Sequence, residues 1–134
     1  MIKKNNDLIL NNNNILFNSF ILNDYISYDN KGVFMFNDEG FYLIKFNIYT
    51  ENKSINKNIF SLNYSINNIP YKLSTILKLN DEIGIRTGLN LSLPSNFSKK
   101  FYKGDTLCIK NISNTNIKLS SKYEPNSIIL INKI

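Results

Sequence analysis

The sequence predicts an all-β protein, a sandwich or barrel of roughly eight to ten short antiparallel strands. Apolar and polar side chains alternate along several stretches, which places the apolar ones on one face of a strand. Turn-forming residues separate these stretches at short intervals. Alanine, the best helix former, is absent, whereas isoleucine, phenylalanine and tyrosine, which suit strands, are abundant.

The chain begins with a predicted arm and a strand that is apolar on both sides. Residues 1–14 are polar and end in four asparagines, so we expect an arm that is loose or that a partner orders. Residues 15–22, like 128–131 near the end, carry apolar side chains at odd and even positions alike. A sandwich strand needs only one apolar face. The second face therefore needs a cover, either another subunit, which we prefer, or a loop of the same chain or the closing of a barrel.

A hairpin follows, with strands at residues 33–36 and 41–50 around a turn at 37–40 that contains Gly40. The second strand alternates and therefore has two distinct faces. The predicted core face carries Tyr42, Ile44, Phe46 and Ile48, and the opposite face carries Phe41, Leu43 and Tyr49.

The middle of the chain predicts a second hairpin and one long strand. Residues 59–66 and 69–79 are joined at Asn67 and Asn68, because asparagine tolerates positive φ. Residues 83–93 alternate most regularly. Proline lacks the N–H that a central strand needs, so Pro94 ends this strand or marks a sheet edge.

Three strands complete the chain, at residues 106–112, 117–123 and 127–134. Asparagine and proline turns separate them. The predicted organisation is one domain over residues 15–134 preceded by the arm, and this length is sufficient for an independent core.

The composition argues against an enzyme. Histidine is absent, so neither a serine nor the single cysteine, Cys108, has the base that nucleophilic catalysis by such pairs requires. Cys108 lies in a strand-like run, where we expect a buried or half-buried thiol. The adjacent carboxylates Asp38–Glu39 and Asp81–Glu82 lie in turns, where solvated tips are the common case.

No cofactor or metal is predicted. One cysteine without histidine does not make a zinc site. Oxygen ligands for calcium are available, but no loop has EF-hand spacing. The candidates for such ligands are Asp24, Asp29, Asn37 and Asp38.

The charge and hydropathy of the chain limit its partners. The net charge is +6, but the lysines are scattered and Arg86 is the one arginine. We therefore expect a solvated basic surface and no nucleic-acid partner. No apolar run approaches the roughly 18 residues of a membrane span, and the first residues do not form a signal peptide, so we expect a soluble chain.

The stretch from Phe34 resembles a family signature. Phe34, five residues, Gly40, then Tyr42, Ile44 and Phe46 are similar to the pattern of the complement globular-head domains and their relatives in the tumour necrosis factor-like superfamily, in which phenylalanine is usual at the place of Ile44. The turn at residues 103–107 and the final strand from Ser127 also resemble it. The chain is most similar to the C-terminal domain of bacterial collagen-like exosporium glycoproteins.

The resemblance implies a two-sheet antiparallel jelly roll that forms a homotrimer around a three-fold axis. One sheet would use its second face to meet two neighbours, and we place that interface at Phe41, Leu43, Ile128 and Leu130. The alternative is that Phe41 and Leu43 lie under a loop of the same chain.

The function that the resemblance implies is assembly on a bacterial spore surface or another cell surface. The predicted partners are further copies, with other spore-surface proteins or surface glycans as additional candidates. The five glycines show no Gly-x-y repeat, so a collagen-like stalk lies outside this sequence or the domain is free-standing. The alternative function is a receptor- or glycan-binding head of the phage-fibre or lectin kind.

Overall fold

The computed structural model describes residues 8–10, 12–52, 59–78, 89–112, 116–120 and 125–134. Within these ranges the chain forms strands and turns and contains no helix. The strands are β1 (Leu8–Ile9), β2 (Ser19–Leu22), β3 (Ile26–Tyr28), β4 (Phe34–Phe36), β5 (Gly40–Asn52), β6 (Ile59–Ile66), β7 (Ile69–Lys78), β8 (Leu89–Phe101), β9 (Thr106–Asn111), β10 (Ile117–Lys118) and β11 (Ser127–Lys133).

These strands make a two-sheet jelly-roll sandwich, as the alternation predicts. One sheet has four strands in the order β2-β11-β5-β8, and the other has five in the order β3-β4-β9-β6-β7. The pairs are antiparallel except for β2 and β11, which run parallel. β1 and β10 pair in a separate two-stranded sheet.

The core lies between the two sheets and takes alternate residues from each strand. In β5 the predicted core residues Tyr42, Ile44, Phe46 and Ile48 are each at most 3% exposed. Phe36 from the facing sheet stacks on Phe101 with ring centroids 3.8 Å apart. Since alternate side chains of a strand point to opposite faces, burial of these four residues directs Phe41 and Leu43 away from the core.

Aromatic side chains close the sandwich where β8 approaches β6 and β7. The ring of Tyr64 stacks on Tyr71 at 5.2 Å and on Phe97 at 4.3 Å. The ammonium of Lys99 lies 4.0 Å from the centre of the Tyr71 ring, a favourable cation–π contact. These tyrosines are therefore part of the packing of the domain.

The second hairpin has the turn that its asparagines predict. Asn67 and Asn68 have φ of 52° and 67°, the values of a type I′ turn. The side chain of Asn67 also holds the neighbouring turn, because its Oδ1 accepts the Thr106 N–H at 3.0 Å and its Nδ2 donates to Asp105 at 3.0 Å. This turn therefore joins the β6–β7 hairpin to the start of β9.

The apolar run at residues 15–22 is not one strand as predicted. Ile15 and Phe17 are buried in the chain's own core, and the strand begins at Ser19. The Ile15 N–H donates to Ile109 O of the five-stranded sheet at 2.8 Å, whereas Ser19 pairs with β11 of the other sheet. The segment crosses between sheets, so its first residues are covered by its own domain.

Pro94 lies inside a strand rather than at its end. It pairs with Asn47 in the middle of β8, and β8 is the outer strand of its sheet. An edge position leaves one side of the backbone without a ladder partner, which is where proline is tolerated. The prediction of an edge is therefore correct and that of a strand end is wrong. Residues 83–88 lie outside the described residues.

Part of the predicted N-terminal arm is ordered on the domain. Ile9 pairs with Ile117 and is 3% exposed. The Asn12 N–H donates to Asn111 O at 2.6 Å, and the Asn111 N–H donates to Asn13 O at 3.0 Å. These contacts attach Ile9 to β10, and Asn12 and Asn13 to the end of β9. The boundary at residue 15 stays a prediction.

Candidate functional site

The candidate site is the face of the four-stranded sheet that points away from the core. Alternation along β5 puts Phe41 and Leu43 on this face. Phe41 is 57% exposed, and Leu43 is half-buried. An exposed phenylalanine on a regular strand is costly to leave in water, so this face has the chemistry of a docking surface.

The neighbouring strand β11 adds apolar side chains to the same face. Ile128 and Leu130 are half-buried and pair with Asn47 and Lys45 of β5. Residues directly opposite in a ladder point the same way, so these isoleucine and leucine side chains share the face of Leu43. The structure thus brings all four predicted interface residues onto one surface, and their role in a trimer stays a prediction.

A fifth residue, Ile21 of β2, belongs to this surface and was missed. It pairs with Leu130 and is 58% exposed. Ile21 lies in a sequence run that is apolar on both sides, which indicated that both of its faces are covered. The sequence could not show which surface Ile21 joins, because that depends on the parallel pairing of β2 with β11. We call the surface formed by Ile21, Phe41, Leu43, Ile128 and Leu130 the apolar face.

The apolar face extends over three strands. Ile21 lies beside Leu130 in the ladder. Leu130 opposes Lys45, so Leu43, two residues along, is its diagonal neighbour at about 7–8 Å. Phe41 continues the row along β5. The patch therefore runs diagonally from β2 to the beginning of β5.

Polar side chains lie around and within this patch on β5, β8 and β11. Exposed Lys45 lies within it, opposite Leu130, and exposed Lys100 lies opposite Phe41. Lys100 Nζ also lies 3.5 Å from Glu39 Oε1. Further polar members include Asn47 of β5, Asn96 and Ser98 of β8, and Asn132 of β11. Protein–protein interfaces combine apolar and polar side chains in this way.

The adjacent carboxylates Asp38 and Glu39 pair with lysines. The Lys133 ammonium donates to Asp38 Oδ2 at 2.6 Å, which lowers the pKa of Asp38 and raises the pKa of Lys133. The Lys133 stem passes over Gly40, where a Cβ would lie 2.5 Å from Lys133 Cε. Glycine thus allows this lysine to join the start of β5 to the last strand. Asp81 and Glu82 lie outside the described residues.

Three of the four residues considered as calcium ligands, Asp29, Asn37 and Asp38, have other contacts. Asp29 Oδ1 accepts the N–H groups of Lys31 at 2.7 Å and Val33 at 3.0 Å, and the bond from Val33 is the main cause of its lowered pKa. Asn37 Nδ2 donates to Ser27. Over the described part of the chain, no group of three or more histidine, cysteine or carboxylate side chains could hold a metal.

The thiol of Cys108 is half-buried, as predicted. Burial is the main cause of the raised pKa of Cys108, which disfavours the reactive thiolate at neutral pH. Within the described residues, no helix is long and apolar enough to cross a membrane.

Comparison with known proteins shows the fold. The chain is similar to the structure of Eiger TNF from S. frugiperda, with 16% identity over 81% of this chain and 68% of that one and a TM-score of 0.58. It is also similar to murine APRIL, with 13% identity over 84% and 79% of the two chains and a TM-score of 0.57. No protein-family model matches the sequence, and no curated protein matches it. The fold is therefore TNF-like.

Proposed function

We propose that this TNF-like jelly roll is a trimerisation and assembly domain. The apolar face packs against two further copies around a three-fold axis. The observation that supports this is the position of Phe41, 57% exposed on the same face as Leu43, Ile128 and Leu130. The hydrophobic effect favours covering such a face, and an identical chain is a partner that is always present.

The proposed trimer explains why β11 carries apolar residues on both of its faces. In β11 the even-numbered Ile128 and Leu130 point outward, while Ile129 and Ile131 are at most 1% exposed. Burial within one domain uses only the second pair. A subunit interface uses the first pair as well, which gives both faces of this strand an apolar role.

We further propose that the trimer belongs to a bacterial surface layer, namely that of a spore. The support is the likeness of the Phe34–Phe46 signature to the exosporium glycoprotein domain and the Asn-, Ile- and Lys-rich composition that AT-rich codons produce. In this role the domain caps, nucleates or decorates the layer and has no catalytic part. Immunogold labelling of intact spores tests the location, and label confined to the cell interior would contradict it.

Light scattering after size exclusion tests the assembly. We expect the purified protein to show three times the 15.5 kDa chain mass. Leu43→Asp places a charge in the centre of the apolar face, so it should give monomers or insoluble protein. A Leu43→Asp variant that still elutes as a trimer would exclude this interface.

A further inference from the structure

A second surface, remote in sequence from β5 and β11, forms an open cleft. It lies where the N-terminal segment passes the β3–β4 loop and the end of β9. Its volume is about 460 Å³, within the range of small-molecule sites. The lining side chains are mostly amides and lysines: Asn12, Asn13, Asn14, Asn30, Lys31 and Lys110, with Leu16 as the apolar member.

The backbone holds the walls of this cleft in place. Asn14 bridges to Lys110 of β9, and Asn14 Nδ2 donates to Lys31 O at 3.4 Å. Gly32 has a φ of +90°, and a Cβ there would lie 2.8 Å from Asn14 Cβ and 3.1 Å from Ile15 O. A larger residue would push the β3–β4 loop away, so Gly32 allows the close approach that shapes the cleft.

The charge of the cleft is positive. Lys31 and Lys110 line it. The carboxylate of Asp29, two residues before Lys31, bonds to the backbone of the β3–β4 loop. Asp29 Oδ1 accepts the backbone N–H groups of Lys31 and Val33. The Asp29 carboxylate keeps its charge and interacts with Lys31, but the two lysines outnumber it among the described residues at this cleft, which favours an anion.

The amides and Leu16 favour a sugar over a bare anion. Each asparagine side chain carries donors and an acceptor, the complement of sugar hydroxyls, and Asn12, Asn13 and Asn30 are exposed. Half-buried Leu16 offers an apolar surface to the C–H face of a sugar ring. A smaller cavity of about 150 Å³ continues from Asn13, Asn14 and Leu16 towards Leu8 and Leu10, where an acetyl methyl group would find apolar contacts.

We propose that this cleft binds a carboxylated saccharide about two residues long. Lys110 and Lys31 hold the carboxylate, the asparagines bind hydroxyl and acetamido groups, and Leu16 lies against the ring. The inference is independent of the trimer, because the cleft and the apolar face have no residue in common.

Isothermal titration calorimetry tests the proposal with four probes. Two are acidic disaccharides, one carrying glucuronate next to N-acetylglucosamine and one ending in N-acetylneuraminate. The others are neutral N,N′-diacetylchitobiose and the acidic peptide hexaglutamate. We expect saturable binding of at least one acidic sugar, about tenfold tighter than that of the neutral disaccharide or the peptide.

Matched lysine variants locate the binding. Lys110→Gln and Lys31→Gln keep most of the side-chain length and remove a charge, so each should weaken acidic-sugar binding about tenfold. Lys103→Gln, an exposed lysine that does not line the cleft, should leave it unchanged. Failure of both acidic sugars to bind overturns the proposal. It is also overturned by equal affinity for the neutral disaccharide or hexaglutamate, or by unchanged affinity in both cleft variants.

Discussion

Replacing Phe41 by aspartate should weaken assembly through the apolar face and leave the fold of the single chain intact. Phe41 is 57% exposed in the single chain, which leaves roughly 110 Å² of its side chain in water. Covering that area at about 25 cal/mol per Å² is worth about 3 kcal/mol per subunit. The substitution removes this gain, and the introduced carboxylate would have to lose its water on assembly, which is unfavourable.

The effect on assembly is large because each trimer contains three such sites. A loss of about 3 kcal/mol at one site raises the dissociation constant of the trimer roughly a hundredfold, and three sites multiply this effect. The concentration at which half of the trimers dissociate varies as the square root of that constant, so it rises about a thousandfold. The monomer itself should change by less than about 0.5 kcal/mol, since an exposed strand position contributes little to folding.

Sedimentation over a wide range of protein concentration measures this shift, and Ile69→Asp is its matched control. Ile69 is also 57% exposed, but it begins β7 in the other sheet. Exposure alone would make both variants behave alike, whereas the proposed interface makes only Phe41→Asp dissociate. The reasoning is refuted if Phe41→Asp and the unmodified protein dissociate at the same concentration.

Two further predictions concern the contacts that hold the turns. The ion pair with Lys133 lowers the pKa of Asp38 below its usual 3.8, so its stabilisation is present above that pH and is lost as pH falls through the lowered pKa. The melting temperature of Asp38→Asn should thus lie below that of the unmodified protein at pH 7, with a gap that closes once the pH falls below the usual pKa of 3.8, and a gap independent of pH would contradict this. Asn67→Ala should lower the free energy of unfolding by roughly 1–2 kcal/mol in urea, because it loses the bond from the Thr106 N–H and strains a positive φ. Asn67→Gly keeps the φ and should cost less, and equal costs would assign the whole effect to the hydrogen bonds.

The pattern along β5 could be read without a structure. Alternation has a period of two in any strand, so Tyr42 and Ile44 had to share one face and Phe41 and Leu43 the other. The turn at Asn67 and Asn68 was equally local, since asparagine tolerates positive φ. The sequence around Pro94 fitted both a strand end and a sheet edge. The order of strands in the sheet decides for the edge, because only the tertiary arrangement shows that β8 is an outer strand.

Contacts between distant parts of the chain required the tertiary structure. Ile15 and Phe17 matched a strand in composition, yet the chain uses them to cross from one sheet to the other. Ile21 joins the apolar face only because β2 pairs with β11, more than a hundred residues later.

The sequence by itself thus determined the alternation along β5, the turn at Asn67 and Asn68 and which side chains of a strand share a face, because these follow from local periodicity and backbone sterics. The tertiary structure alone decided which faces are covered and which surfaces form a site. The ion pair of Asp38 with Lys133 joins residues 95 positions apart, and the cleft joins Asn13 to Lys110. Such juxtapositions arise from the order of strands in the sheets, which a pattern of neighbouring residues does not contain.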